Sequence, residues 1–123
     1  MKILVTGGSG MVGKSLKKIL PEATYLSSKE CDLKNEEEVK SLMNNNEFDA
    51  VIHLAAKVGG IIDNINKPDD YFVDNIQMNT NIVKWSRITG VKRFIGILST
   101  CIYPDKVISY PMTEDMLHQG PPT

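Results

Sequence analysis

Three glycines spaced G-x-x-G-x-x-G within the run "TGGSGMVG" constrain this chain more than any other feature. Gly7, Gly10 and Gly13 follow the apolar run Ile3, Leu4, Val5. They precede a segment in which Val12, Leu16, Ile19 and Leu20 recur at i, i+4, i+7 and i+8, before Pro21. Period and punctuation give a strand, a glycine turn and a helix that the proline ends. In a dinucleotide-binding turn each glycine has its own task. The first permits the tight turn, the second lets main chain approach a pyrophosphate, and the third lets the helix pack on the sheet. The helix N-terminus supplies unpaired N–H groups and the positive end of a dipole, both of which favour an anion.

The alternation continues. Ala23 to Leu26 reads as a second strand. Asn35 reads as an N-cap, followed by Glu36, Glu37 and Glu38 where carboxylates suit a helix dipole, with Val39, Leu42 and Met43 as the apolar face. "AVIHLAA", residues 50–56, predicts a third strand buried on both faces. Pro68 opens a long helix and Gly90 closes it, with Phe72, Ile76 and Val83 supplying part of its apolar stripe. Lys92 to Leu98 predicts a fourth strand, its run from Phe94 reading as buried. Four strands with helical crossovers predict an α/β fold: a parallel, doubly wound sheet with helices on both faces. Residues 1–102 are expected to form this dinucleotide-binding half, and residues 103–123 an irregular loop.

Strand 2 ends in Ser27, Ser28 and Lys29, with no carboxylate until Glu30. A site selective for NAD holds the ribose 2′-hydroxyl with Asp or Glu at this place. Two hydroxyls and a cation suit a 2′-phosphate, so NADP is the expected cofactor and NAD the alternative. Composition narrows the remaining classes. Fourteen Lys and Arg against fifteen Asp and Glu, scattered along 123 residues, give no electrostatic reason to expect nucleic acid or a membrane surface. No apolar run approaches membrane-spanning length. Two cysteines make no disulfide framework, so a reduced, cytoplasmic setting is expected. No metal site is expected.

The glycine spacing, "SSKECDL", "HLAAKVGG", "NIQMNTNI" and "LSTCIYPDK" together resemble the GDP-L-fucose synthases, NADP-dependent epimerase-reductases of the extended short-chain dehydrogenase group. The likeness spans the chain but corresponds to roughly the first two-fifths of a family member. It implies a partial Rossmann fold and a role for each matching position. Gly7, Gly8, Ser9, Gly10, Met11, Val12 and Gly13 correspond to the pyrophosphate loop. Ser28 and Lys29 correspond to contacts of the adenosine phosphate, and Asp32 and Leu33 to those of adenine. Leu54, Ala55 and Ala56 are expected to flank the cofactor riboses, and Leu98 and Thr100 to add further cofactor contacts. Ser99 resembles the serine that hydrogen-bonds a substrate keto oxygen. Cys101 resembles the thiol that moves protons during epimerisation. The implied substrate is GDP-4-keto-6-deoxy-D-mannose, converted to GDP-L-fucose, and the implied assembly is a homodimer or higher oligomer.

Family members complete the site with a helical Tyr-x-x-x-Lys pair, in which the ammonium lowers the phenol pKa. Tyr25 and Lys29 match that spacing, but on a strand and its loop four residues span about 13 Å. The pair is therefore not expected to be catalytic. The 123 residues are expected to be the cofactor-binding N-terminal part of such a synthase and, lacking the helical pair, to show no turnover by themselves. The alternative is a catalytically dead remnant that binds NADP or self-associates. Cys31 and His53 read as core residues and His118 as an exposed one. Asn75, Asn79 and Asn81, unusual on one helix, either bond to neighbouring loops or face water.

Overall fold

A four-residue strand, Ile3–Thr6 (β1), enters the glycine turn, and Met11–Ile19 (α1) leaves it. The computed structural model describes residues 1–123, and the elements that follow are Thr24–Leu26 (β2), Glu36–Asn44 (α2), Ala50–His53 (β3), Ile61–Asn66 (α3), Pro68–Ile88 (α4) and Arg93–Gly96 (β4). All strands are parallel, in the order β2-β1-β3-β4. Right-handed crossovers then put α1 on one face of the sheet, and α2 and α4 together on the other. The core lies on the latter side. Leu4, Leu26 and Val51 of the sheet meet Val39 and Met43 of α2 and Ile82 of α4.

Local signals fix several boundaries. Asn35 Oδ1 accepts from the main-chain N–H of Glu37 at 3.1 Å and of Glu38 at 3.3 Å, as an N-cap should. Pro68 occupies the first turn of α4, where its missing N–H costs nothing, and Gly90 leaves the helix at φ +80°.

Four expectations change. β3 ends at His53 rather than Ala56, because Leu54 onward leaves the ladder to line a cleft. β4 is an edge strand exposed at every position, since it pairs with β3 alone. Phe72, Ile76 and Val83 face outward. The packed face of α4 instead carries Tyr71, Met78, Ile82 and Trp85, with Asn81 and Ser86 among them. Finally, α3 is an additional helix with no buried residue. Polar contacts hold it: Tyr71 donates to the Asp63 carboxylate, and Asn64 Nδ2 donates to the Gly59 and Gly60 carbonyls, each at 3.0 Å. A side chain at Gly59 would collide with the Tyr71 hydroxyl.

Candidate functional site

The carboxyl ends of parallel strands share one rim, and here the rim opens into a cleft of about 650 Å³. That volume suits a small organic ligand. The cleft runs from Ser27 and Ser28 beyond β2, past the glycine loop, to Leu54–Val58 beyond β3 and Ile97 beyond β4.

The glycine loop is built from main-chain contacts. Gly7 has φ +67°, and a Cβ on it would stand 2.8 Å from the Ala55 nitrogen. Gly13 presses on the preceding turn, so a Cβ there would stand 2.7 Å from both Gly8 Cα and the Gly8 carbonyl oxygen. At Gly10, by contrast, an added Cβ meets only the Gly7 carbonyl oxygen, at 3.3 Å, on a residue that lines the cleft. The α1 N-terminus has no side-chain cap and no acidic residue in its first turn. The contrast with α2, capped by Asn35 and led by three glutamates, is complete. An uncapped N-terminus opening on a cleft fits the phosphates of a dinucleotide.

Most predicted residues gather here. Ser9, Met11 and Val12 line the cleft on the loop side, and Asp32, Leu33, Leu54, Ala55 and Ala56 form its walls. Gly8 does not reach it: the residue is buried, and a Cβ there would strike Tyr25. Ser28 is on the lining and Lys29 is exposed just beyond it. Glu30, the one carboxylate at the end of β2, turns back to accept from Ser27 N–H at 2.8 Å and does not line the cleft.

Ile97 lines the cleft, while Leu98, Ser99, Thr100 and Cys101 continue outward from it as exposed residues. Ser99 caps a short 3-10 turn by accepting from Cys101 N–H at 3.1 Å. Its hydroxyl hydrogen is thereby left to donate elsewhere. Tyr25 is committed elsewhere, donating to the Leu20 carbonyl at 2.7 Å. No cluster of His, Cys, Asp and Glu is arranged to hold a metal ion. No helix is long and apolar enough to cross a membrane.

The sequence did not single out Lys34, Lys57, Val58, Asp74 or Met78, which also line the cleft. Asp74 and Met78 are four apart on α4, a spacing that signals a shared face. Lys57 Nζ pairs with Asp74 at 2.8 Å, and this hydrogen bond holds the ammonium pKa above its usual value and that of the carboxylate below. Cys31, expected in the core, is buried and also borders the cleft. Burial, followed by Glu38 and Asp32, pushes its thiol up to about 11, so it stays protonated.

A polar chain buried at Thr6 and His53 ties β1, β3 and α4 together. His53 Nε2 donates to Asn79 Oδ1 at 2.8 Å, which leaves Nδ1 to accept from the Thr6 hydroxyl at 2.7 Å. Thr6 Oγ1 in turn accepts from Ala55 N–H at 3.2 Å. His53 is thus a satisfied core histidine in its neutral form. Burial holds its pKa below the ordinary 6.5, outweighing the opposite pull of Asn79. The unfolded chain therefore takes up a proton that the folded chain refuses. Stability contributed by neutral His53 is present above pH 6.5 and falls as pH drops through and below it. Urea midpoints measured from pH 7.5 to 5 should decline more steeply for this chain than for His53→Gln. Equal slopes would show that His53 does not titrate in this way.

The chain's likenesses agree in direction. A model of the NAD dependent epimerase/dehydratase family matches residues 3–123. A GDP-L-fucose synthase of Dictyostelium discoideum is 40% identical over 98% of this chain and 39% of its own length. A probable GDP-L-fucose synthase of Drosophila melanogaster is 40% identical over 98% of this chain and 40% of its own. A crystal structure of a GDP-L-fucose synthetase from Naegleria fowleri bound to NADP superposes with a TM-score of 0.83 at 42% identity. That match covers 98% of this chain and 40% of the other. The chain thus spans about two-fifths of the length of the curated relatives it matches.

Proposed function

The chain belongs to the NAD dependent epimerase/dehydratase family, and from that premise we propose that it is the NADP-binding part of a GDP-L-fucose synthase. The observation that carries the reading is the uncapped, glycine-lined α1 N-terminus opening on a cleft lined by Ser28, with Lys29 exposed just beyond it and Glu30 turned back onto Ser27 N–H. Residues 1–102 are the dinucleotide-binding half in this reading, and residues 103–123 an irregular segment beside it. NADPH, when bound, supplies hydride. The chain's own residues bind and orient.

Main-chain N–H groups at Met11, Val12 and Gly13 receive the diphosphate, with Gly10 leaving room for it. Ser28 and Lys29 take the 2′-phosphate, Asp32 and Leu33 border adenine, and Leu54, Ala55 and Ala56 border the riboses. Leu98 and Thr100 border the reacting end. Ser99, whose oxygen is already accepting from Cys101 N–H, donates its hydrogen to the keto oxygen of a GDP-4-keto-6-deoxy sugar. Cys101, exposed one step further along the turn, exchanges protons with carbons next to that carbonyl. Self-association in a cytoplasmic setting completes the reading, supported by the solvent-facing row Phe72, Ile76 and Val83 on α4.

Titration with NADPH, followed by its fluorescence and by calorimetry, tests the central point. Saturable binding is expected, with NADPH preferred over NADH by at least about tenfold, as one charged hydrogen bond would give. Lys29→Ala should erase most of that preference while leaving NADH affinity unchanged. Absence of saturable binding by either dinucleotide would end the reading. Equal affinity for both would end its NADP specificity.

A further inference from the structure

The walls of the cleft are not made of regular structure. Residues 27–35, after β2, and 54–60, after β3, lie outside strands and helices, so no sheet ladder or helix fixes them. Both are fastened from one helix. Asn75 of α4 meets Lys57 with its whole amide: Oδ1 accepts from Lys57 N–H at 2.8 Å, and Nδ2 donates to the Lys57 carbonyl at 3.0 Å. The same Nδ2 donates to the Tyr71 carbonyl at 2.8 Å, which ties the side chain to its own helix. Its neighbour Asp74 holds the Lys57 ammonium, so residue 57 is gripped at nitrogen, oxygen and side chain. Asn81, buried, donates from Nδ2 to the Leu33 carbonyl at 2.8 Å. The two asparagines are about 9 Å apart along the axis at 1.5 Å per residue. Their targets lie on opposite sides of the glycine loop, because β1 stands between β2 and β3 in the sheet.

We propose that Asn81 and Asn75 are positioning residues that set the two ends of the cleft separately. Asn81 fixes the wall at Asp32 and Leu33, which takes the adenosine end of a dinucleotide. Asn75 fixes the wall from Ala55 to Val58, which takes the end toward β4. The proposal rests on the dinucleotide reading and deepens it. An unsupported wall segment must be ordered by the ligand itself, and the cost falls only on ligands that touch that segment.

Two ligands separate the ends: 2′,5′-ADP, which is the adenosine half alone, and NADPH. Asn75→Ala is expected to weaken NADPH at least tenfold while leaving 2′,5′-ADP within twofold of the unaltered chain. Asn75→Asp keeps the acceptor for Lys57 N–H but sets a carboxylate oxygen against the Lys57 and Tyr71 carbonyls, so it should weaken NADPH at least as much, with 2′,5′-ADP again within twofold. Asn81→Ala should weaken both ligands by the same factor, and Asn81→Ser stands in for it if the alanine chain does not fold. A general loosening of the domain would lower both affinities in every variant. That result would overturn the proposal, as would unchanged NADPH affinity in Asn75→Ala or failure of that half-exposed variant to fold. If the unaltered chain binds neither ligand, the dinucleotide reading itself falls. If it binds both and the variants do not discriminate, only the positioning roles fall.

Discussion

Gly7→Ala and Gly13→Ala are expected to lose about 2–5 kcal/mol of stability each, whereas Gly10→Ala folds normally and loses ligand. At Gly7 two costs add. A Cβ-bearing residue at φ +67° carries about 1–3 kcal/mol of strain, and the Cβ meets three main-chain atoms of Leu54 and Ala55 at 2.8–3.0 Å. Main chain cannot rotate away as a side chain can, and Ala55 N–H is already held by Thr6 Oγ1, so overpacking of about 1–3 kcal/mol follows. Gly13 has no positive φ, but its Cβ would press on Gly7 and Gly8 at 2.7–2.8 Å and lever α1 from the sheet. Domains of this size are stable by about 5–15 kcal/mol, so either change removes a large fraction of the total. Gly10 differs because only one atom, at 3.3 Å, must give way, and the new methyl group projects where phosphate would sit. Urea denaturation and NADPH titration of the three variants separate the roles. A Gly13→Ala chain with the original urea midpoint would show that α1 packs less closely than described.

On α4 of the separate chain, at concentrations too low for copies to associate, Ile82→Ala is expected to cost about 2–5 kcal/mol and Phe72→Ala no more than about 0.5 kcal/mol, although phenylalanine is the larger side chain. Ile82 is fully buried against Val39, Met43 and the sheet, so truncation leaves a cavity that the parallel strands cannot close. Phe72 is 67% exposed and loses little contact. Denaturant midpoints of both variants check the ranking. A larger loss at Phe72 would mean that the outward row of α4 is covered in solution.

That pair of residues also shows what a sequence displays and what it conceals. Gly7, Asn35 and Pro68 act within a few residues of themselves, and each turn or cap could be read directly. That the glycine turn after β1 and the hydroxyl-rich end after β4 share a rim followed from the same local logic, since both stand at the carboxyl ends of strands in one parallel sheet. The buried face of α4 could not be read this way. Its inward row mixes Met78, Ile82 and Trp85 with Asn81 and Ser86, while its outward row holds Phe72, Ile76 and Val83, so periodicity favoured the wrong side. Of its polar inward residues, Asn81 makes sense only once the Leu33 carbonyl is known to lie opposite, and the buried Ser86 hydroxyl finds no hydrogen-bond partner. For α3 the difficulty is greater. Its isoleucines face water and its fastening is a phenol on α4 that meets Asp63, a contact between elements that no pattern within six residues encodes.

The outer rim of β4 has a further consequence. Arg93 and Ile97 direct their N–H groups to β3, at the Asp49 and His53 carbonyls, so by alternation Phe94 and Gly96 direct theirs away from the sheet. Such a rim is a template on which another extended peptide can lengthen the sheet, and it is bordered by apolar side chains that reward the match. Lys92 and Arg93, exposed at the start of the strand, repel a second copy of the same rim.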